Sequence, residues 1–421
     1  MPCPYGNIAT CAVFSLFPGD AQRHRDCGEN SCFMLNITKL YCGTQQPADG
    51  LRYGQSADAS RHVQERKPVV VWNITRACNL KCIHCYSDSD ARSYAGELTD
   101  EQCRTVVDDL AQYGVPAVLL SGGEPLMRPR FFELAAYMVS KGLRLTISTN
   151  GTLIDEAMAR QLKNLRCAYV GISLDGIGAT HDQFRGKAGA FETTVNAFRH
   201  CKAVGQKVGL RLTLSHHNVD DLDRIFEFVE QEAIERVCFY HLVYSGRGSR
   251  LQILSAAATR SALDRILNRA TRWSAAGQAR EVLTVCQPAD GVYLYLRLLR
   301  EKSPHAAKTL KLLEWKGGDL FGSGHGLGNI DSQGNVHPNQ FWQTCTLGNV
   351  REKPFSEIWR NSRDPLLINL RQRATRIKGR CSECRYMNLC GGGFRARAAQ
   401  ATGDPWGSDS ACYLTDAEIK T

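Results

Sequence analysis

From Lys67 onward the chain alternates apolar runs with amphipathic stretches. The run VVVWNIT (69–75) is apolar and β-branched, which predicts a buried strand. LTDEQCRTVVDDLAQYG (98–114) predicts a helix: a Thr caps it, acids fill its first turn and a Gly closes it. The alternation continues as strand and loop over 116–125, helix over 130–142 and strand over 143–149. Helices over 155–165, 190–205 and 219–233 then alternate with strands over 168–176, 207–214 and 235–243. Six such repeats predict an α/β fold of buried parallel strands with right-handed crossovers, which either a barrel or an open sheet satisfies. Polar and Gly-rich motifs recur just past the strand ends: TRACN, SGGEP, STNGT, SLDG and YSGRG. In both architectures that carboxyl edge is where ligands bind.

The flanks read differently. Residues 1–33 carry four cysteines and little periodic pattern, and read as non-native upstream sequence or a disordered extension, with Met34 as the native start. Residues 34–66 form an N-terminal segment, 67–245 the repeat unit and 246–323 a helical connector. From 324 to 421 Gly-rich turns, short strands and a final cysteine cluster predict a small C-terminal domain.

A length of 421 residues and 43% apolar content predict two or three packed units with ample core. No apolar run approaches a membrane span and no secretory signal pattern is seen, so no membrane partner and a cytoplasmic location are expected. The net charge of +10 suits an acidic partner, including a polycarboxylate substrate, or an ordinary basic enzyme. Without a long Lys/Arg run, nucleic acid is not the expected partner. Eighteen cysteines in a large chain without an export signal fit reduced thiols at metal sites better than a disulfide framework.

The first cysteine constellation is Cys78-Asn-Leu-Lys-Cys82-Ile-His-Cys85, directly after the first predicted strand. Three thiolates on one loop can ligate three irons of a [4Fe–4S] cube and leave the fourth iron open. Zinc is the alternative, although the loop lacks a fourth protein ligand unless His84 serves. The spacing resembles the signature of the radical S-adenosylmethionine (SAM) superfamily. That resemblance implies a partial (βα)6 TIM-like barrel, with SAM chelated at the open iron and cleaved to a 5′-deoxyadenosyl radical. It also implies a Gly-Gly-Glu motif after the second strand, and Gly122, Gly123 and Glu124 stand there. On this reading the glycines let backbone approach the SAM amino group and Glu124 holds the amine. Asn150, Ser173 and Asp175 follow later strands and are candidate ribose contacts, and Arg185 is a candidate partner of the SAM carboxylate. Turn and cap chemistry is the rival account for each, and it serves equally well for Asp175.

Cys381, Cys384, Cys390 and Cys412 can close a second metal site. The pattern resembles the SPASM or twitch auxiliary-cluster domain that follows many radical SAM barrels. Asn339 and Phe394 stand where the full SPASM pattern often places cysteines, which implies one auxiliary [4Fe–4S] cluster instead of two. The expected cofactors are therefore two clusters and SAM. Four-Cys zinc is the alternative at the second site. The other cysteines read mostly as core residues, with Cys345 as a reserve ligand.

Segments such as KLYCGTQQPADGLRYG, KPVVVWNITRACNLKCIHCYSDSD and GDPWGSDSACYLTDAEI resemble the tetrapyrrole-modifying branch of the superfamily. Its members remove acetates from didecarboxysiroheme to give Fe-coproporphyrin III, remove propionates on the way to haem d1, or decarboxylate Fe-coproporphyrin III to haem. The KLYCG opening favours the first. The implied partners are an anionic iron tetrapyrrole and a low-potential electron donor such as ferredoxin or flavodoxin. His241, Tyr244, Arg247 and Arg250 follow the sixth strand, and His337, Gln340 and Trp342 lie in HPNQFWQ; all are candidates to face the ring or its carboxylates. Turn and packing roles are the alternative for them. A peptide-modifying SPASM enzyme and a non-catalytic iron–sulfur or zinc protein remain the competing readings.

Overall fold

The computed structural model describes residues 34–45, 67–278 and 280–420. The expectations for residues 1–33, and for 34–66 beyond residue 45, therefore fall outside the described residues.

The six repeats run as β2 (Val69–Thr75), α2 (Asp100–Tyr113), β3 (Val118–Gly122), α3 (Phe131–Ser140), β4 (Leu145–Thr149) and α4 (Glu156–Asn164). They continue as β5 (Tyr169–Ser173), α5 (Ala179–Arg185), α6 (Ala190–Ala203), β6 (Val208–Leu214), α7 (Leu222–Gln231) and β7 (Arg236–His241). Ahead of them stand β1 (Met34–Asn36) and α1 (Ile37–Leu40). After them come α8 (Ala256–Ala275), β8 (Glu281–Val285), α9 (Ala289–Arg300) and α10 (Ala306–Lys316). The remainder holds β9 (Leu327–Ile330), β10 (Asn335–His337), β11 (Gly348–Asn349), α11 (Phe355–Arg360), α12 (Pro365–Arg371), α13 (Met387–Cys390), α14 (Arg395–Thr402) and α15 (Asp416–Lys420).

Local chemistry explains the boundaries. Thr99 accepts from the Gln102 amide while the Gln102 side chain returns to the Thr99 amide, so α2 starts in a capping box. It ends on Gly114, whose φ of +79° suits glycine. The short α5 and the strand β8 escape the periodicity reading; β8 lies inside the segment read as a helical connector.

The strands form one sheet in the order β1-β8-β7-β6-β5-β4-β3-β2-β9-β10-β11. Pairing is parallel from β8 through β9 and antiparallel at both ends. β1 and β11 do not pair, so the sheet is open. Alternate residues face opposite sides. Val70, Trp72, Leu120, Ile147, Val170, Leu210 and Val237 pack outward in the main core beneath the helices. Val69 and Val71 of β2 share a second core with Leu283 and Val285 of β8. Strands far apart in the sheet order thus meet on one face: the sheet curls into a partial barrel with a lumen. The C-terminal region begins inside this sheet, because Val69–Trp72 of β2 pair with Leu327–Ile330 of β9.

Candidate functional site

The cysteine loop leaves β2 at the carboxyl edge of the barrel. Cys78 and Cys82 are buried around Leu80, with Cys85 packed against them. Each sulfur has an N–H donor: the Leu80 amide reaches Cys78 Sγ at 3.4 Å, Arg185 Nη1 reaches Cys82 Sγ at 3.5 Å and the Ser89 amide reaches Cys85 Sγ at 3.4 Å. Burial pushes the Cys78 thiol up to about 12 and raises Cys82 despite the adjacent Arg185 guanidinium. The charge that would let these sulfurs ionise has to come from a bound cation. Thiolates that accept N–H donors in a dry pocket fit an iron–sulfur cluster. His84 is half-buried, with its Nδ1 sealed from solvent and unpartnered, and it packs against Phe184 at 4.4 Å between ring centroids.

Gly122 and Gly123 allow a close approach of the chain to itself. A Cβ on Gly122 would lie 2.2 Å from the Thr75 carbonyl oxygen, and one on Gly123 would lie 2.2 Å from that of Ala77. The Gly123 amide donates to Thr75 O (2.8 Å) and the Glu124 amide to Ala77 O (2.9 Å), so the turn is fastened to the start of the cysteine loop. The buried Glu124 carboxylate accepts from Thr149 Oγ1 (2.8 Å), the Asn150 amide (2.8 Å) and the Leu126 amide (3.2 Å). Burial nevertheless raises it to about 7. Asn150 reaches the loop through Nδ2, bonded to Asn79 Oδ1 at 2.9 Å. Asp175 is committed to an ion pair with Arg185 and to the Thr213 amide at 2.6 Å. Ser173, Asp175 and Arg185 all line the lumen.

The other lumen residues are Val71, His84, Tyr86, Leu119, Ser121, Ser148, Arg211, Thr213, Tyr240–Val243, Gln340 and Phe341. Tyr86, Arg211, Tyr240 and Phe341 are absent from the sequence-derived candidates. The alternation along β6 and β7 does place Arg211 and Tyr240 inward, but only once the inward face is known. Beside the lumen an open groove of about 800 Å³ is lined by Tyr244, Ser245, Ser249, Gln343, Gln400 and Ser410, among others.

Three candidates for ring contact are spent inside the protein instead. Arg247 donates to Cys82 O (2.7 Å), Asp88 Oδ1 (2.8 Å) and Ser89 O (2.8 Å), so it clamps the cysteine loop and offers no free fork to a carboxylate. His337 uses both ring nitrogens, toward Cys345 O (2.6 Å) and Asp331 Oδ2 (3.3 Å). Trp342 is buried in the second core. His241 borders the lumen, yet its Nε2 is 2.9 Å from Asp290 Oδ2, and Asp290 Oδ1 accepts from Tyr413 at 2.7 Å. Its ring therefore points with Val237 and Phe239 toward the helical side. Gln340 faces the lumen as expected, Tyr244 faces the groove and Arg250 is exposed.

The second cysteine set converges. Cys390 feels the charges of Cys381, Cys412 and Cys384, and burial pushes it up to about 12. Arg380 Nη1 donates to Cys412 Sγ at 3.3 Å and is held by Asp416 Oδ1 at 2.7 Å. Cys381 and Cys390 are buried, Cys384 and Cys412 half-buried, and a guanidinium donor on Cys412 is the kind of partner an anionic cluster uses. Cys345 lies apart, packed in the second core near Trp342 and Phe394. Phe394 itself is fully buried.

Residues 72–229 match the radical SAM superfamily, and residues 326–385 match SPASM, an iron-sulfur cluster-binding domain. Fe-coproporphyrin III synthase of Methanosarcina barkeri is 48% identical over 396 residues, covering 92% of this chain and 99% of that protein. Pre-heme d1 synthase of Dinoroseobacter shibae is 45% identical, over 84% of this chain and 88% of that protein. Among solved structures, Streptococcus suis SuiB bound to S-adenosylmethionine shares the fold with a TM-score of 0.63 at 17% identity, over 82% of this chain and 77% of that one.

Proposed function

The chain belongs to the radical SAM superfamily, as an enzyme with a C-terminal SPASM domain that works with [4Fe–4S] clusters and SAM, and from that premise we propose that it removes the acetate side chains of didecarboxysiroheme to give Fe-coproporphyrin III. The observation that carries the reading is the 48% identity to Fe-coproporphyrin III synthase, which extends over 99% of that protein. When bound, the cluster and SAM supply the 5′-deoxyadenosyl radical that attacks a substrate side chain.

The chain's own residues hold and orient. Cys78, Cys82 and Cys85 bind the SAM-cleaving cluster, with Arg247 closing their loop from below. Ser173 and Arg185 line the lumen where SAM is to sit, Glu124 and Asn150 back the cysteine loop, and Asp175 holds Arg185 in place. Cys381, Cys384, Cys390 and Cys412 hold one auxiliary [4Fe–4S] cluster. The groove of about 800 Å³ beside the lumen has the size of a site for a large organic ligand and takes the macrocycle. A low-potential donor such as ferredoxin or flavodoxin supplies the electron, and the enzyme works in the cytoplasm. Among the described residues no helix is long and apolar enough to cross a membrane.

Anaerobic incubation of the reconstituted enzyme with SAM, a reductant and didecarboxysiroheme, followed by mass analysis of the macrocycle, tests this. Loss of two acetates supports the reading. Loss of propionates with the acetates retained replaces it with pre-haem d1 chemistry, which the 45% identity to pre-heme d1 synthase makes the specific rival. An unaltered macrocycle alongside active SAM cleavage refutes both.

A further inference from the structure

Among the described residues, the arginines set inside the fold mostly face an acid or a cluster of carbonyls, and half-buried Arg211 in the lumen does not. Arg185 faces Asp175, Arg236 faces Glu281, Arg373 faces Asp319 and Arg397 faces Asp409. Arg395 donates to the carbonyls of Pro405, Gly407 and Gly392. Arg211 stands on β6 among the inward positions Tyr169, Gly171 and Ser173 of β5 and Cys238 and Tyr240 of β7. Its guanidinium is 6.0 Å from the Tyr169 ring centroid and 5.9 Å from that of Tyr240. Its Nε is sealed from solvent and has no partner. Among the described residues no carboxylate pairs with it. The acid lining the lumen, Asp175, is taken by Arg185 and the Thr213 amide, and Glu281 at the start of β8 is taken by Arg236 and Asn36.

The fold makes room for this unpaired cation. A Cβ on Gly171 would lie 2.2 Å from Arg211 Nε, so a side chain there would push the guanidinium from its place. Arg211 also lines the cavity with Ser148, Ser173 and Thr213, so its fork opens onto ligand space. A guanidinium in a desolvated lumen without an anion is costly, and a planar carboxylate is the complement that repays it.

We propose that Arg211 is a carboxylate receptor in the barrel lumen, engaging a carboxylate of the bound macrocycle or of SAM. The macrocycle source rests on the function proposed above; the SAM source does not. The experiment uses the reconstituted full chain as wild type, R211Q, R211K and G171A. Affinity for SAM is measured by equilibrium binding. Affinity for Fe-coproporphyrin III and for its methyl ester is measured by absorbance titration. If the macrocycle is the source, R211Q weakens the free acid about tenfold or more and leaves the ester and SAM unchanged. If SAM is the source, SAM affinity falls by a similar factor and the macrocycle is unaffected. R211K, which keeps the charge without the fork, gives a smaller loss of the same ligand. G171A, which presses on the same group, mimics R211Q. Should R211Q fail to fold, R211K and G171A carry the test, with circular dichroism and iron content as folding controls. Unchanged affinity for both ligands in folded variants overturns the proposal. Wild type that binds neither Fe-coproporphyrin III nor didecarboxysiroheme defeats the proposed function and leaves Arg211 to be judged on SAM alone.

Discussion

Arg247 shows how one side chain decides the state of a whole loop. It makes three side-chain hydrogen bonds to the cysteine loop, and its amide adds a fourth to Cys85 O at 2.9 Å. Replacing it with Ala leaves buried carbonyls without donors, at a cost of about 3 kcal/mol. The expected outcome of Arg247→Ala is a lower melting temperature with loss of the iron of the first cluster, while the auxiliary cluster remains. Full iron content in that variant would separate Arg247 from the cluster site. The sequence showed an arginine past a strand end, and that position suits outward recognition as well as an inward clamp. What decides between them is the return of the YSGRG turn over the cysteine loop, a contact across 165 residues that no local pattern encodes. His337 and Trp342 take the packing roles that the sequence had left open beside ring contact, because a polar loop says nothing of which neighbours will cover it. The three cysteines were legible because their chemistry requires close spacing along the chain.

At the scale of the element, legibility follows the strength of local signals. The α2 helix was readable to its ends because Thr99, Gln102 and Gly114 each satisfy a backbone requirement that the residue type announces. Thr99→Ala should cost about 1 kcal/mol in a denaturant titration, with SAM binding unchanged; no loss would mean that tertiary packing alone fixes the helix start. The elements that went unread lack such signals. α5 begins after Gly178 with no side-chain cap, and it ends at Arg185, whose commitment to Asp175 is tertiary. β8 is five buried residues between two long helices, and its strand character comes from β7 and β1 on either side. The Gly-Gly-Glu turn was found by pattern, and its glycines also admit the backbone of Thr75 and Ala77, a contact the pattern did not announce.

At the scale of the molecule, the sheet does not respect the boundary between barrel and C-terminal region. β2, whose loop carries the first cysteines, is flanked by β3 on one edge and β9 on the other. A chain ending at residue 323 lacks β9–β11 and leaves the β2 edge uncovered. It should be recovered insoluble or without a cooperative melting transition; a soluble 34–323 fragment with native circular dichroism would make the barrel self-sufficient. The charge balance of +10 is likewise spread over the whole, and among the described residues that line the lumen Arg211 is the arginine without an acid.

The pairing of β2 with β9 also sets a timetable on the ribosome. Asn329 Nδ2 bonds Val71 O across 258 residues, and Arg247 reaches Cys82 across 165. At translation rates of roughly 5–20 residues per second, the cysteine loop emerges about 10–30 s before its arginine clamp, and the second edge of β2 stays uncovered for longer still. During that interval the loop of Cys78, Cys82 and Cys85 lacks the arginine that holds it in the folded chain. Once the clamp and β9 close, the same sulfurs lie in a dry pocket, so the interval of synthesis is when metal delivery meets the least resistance.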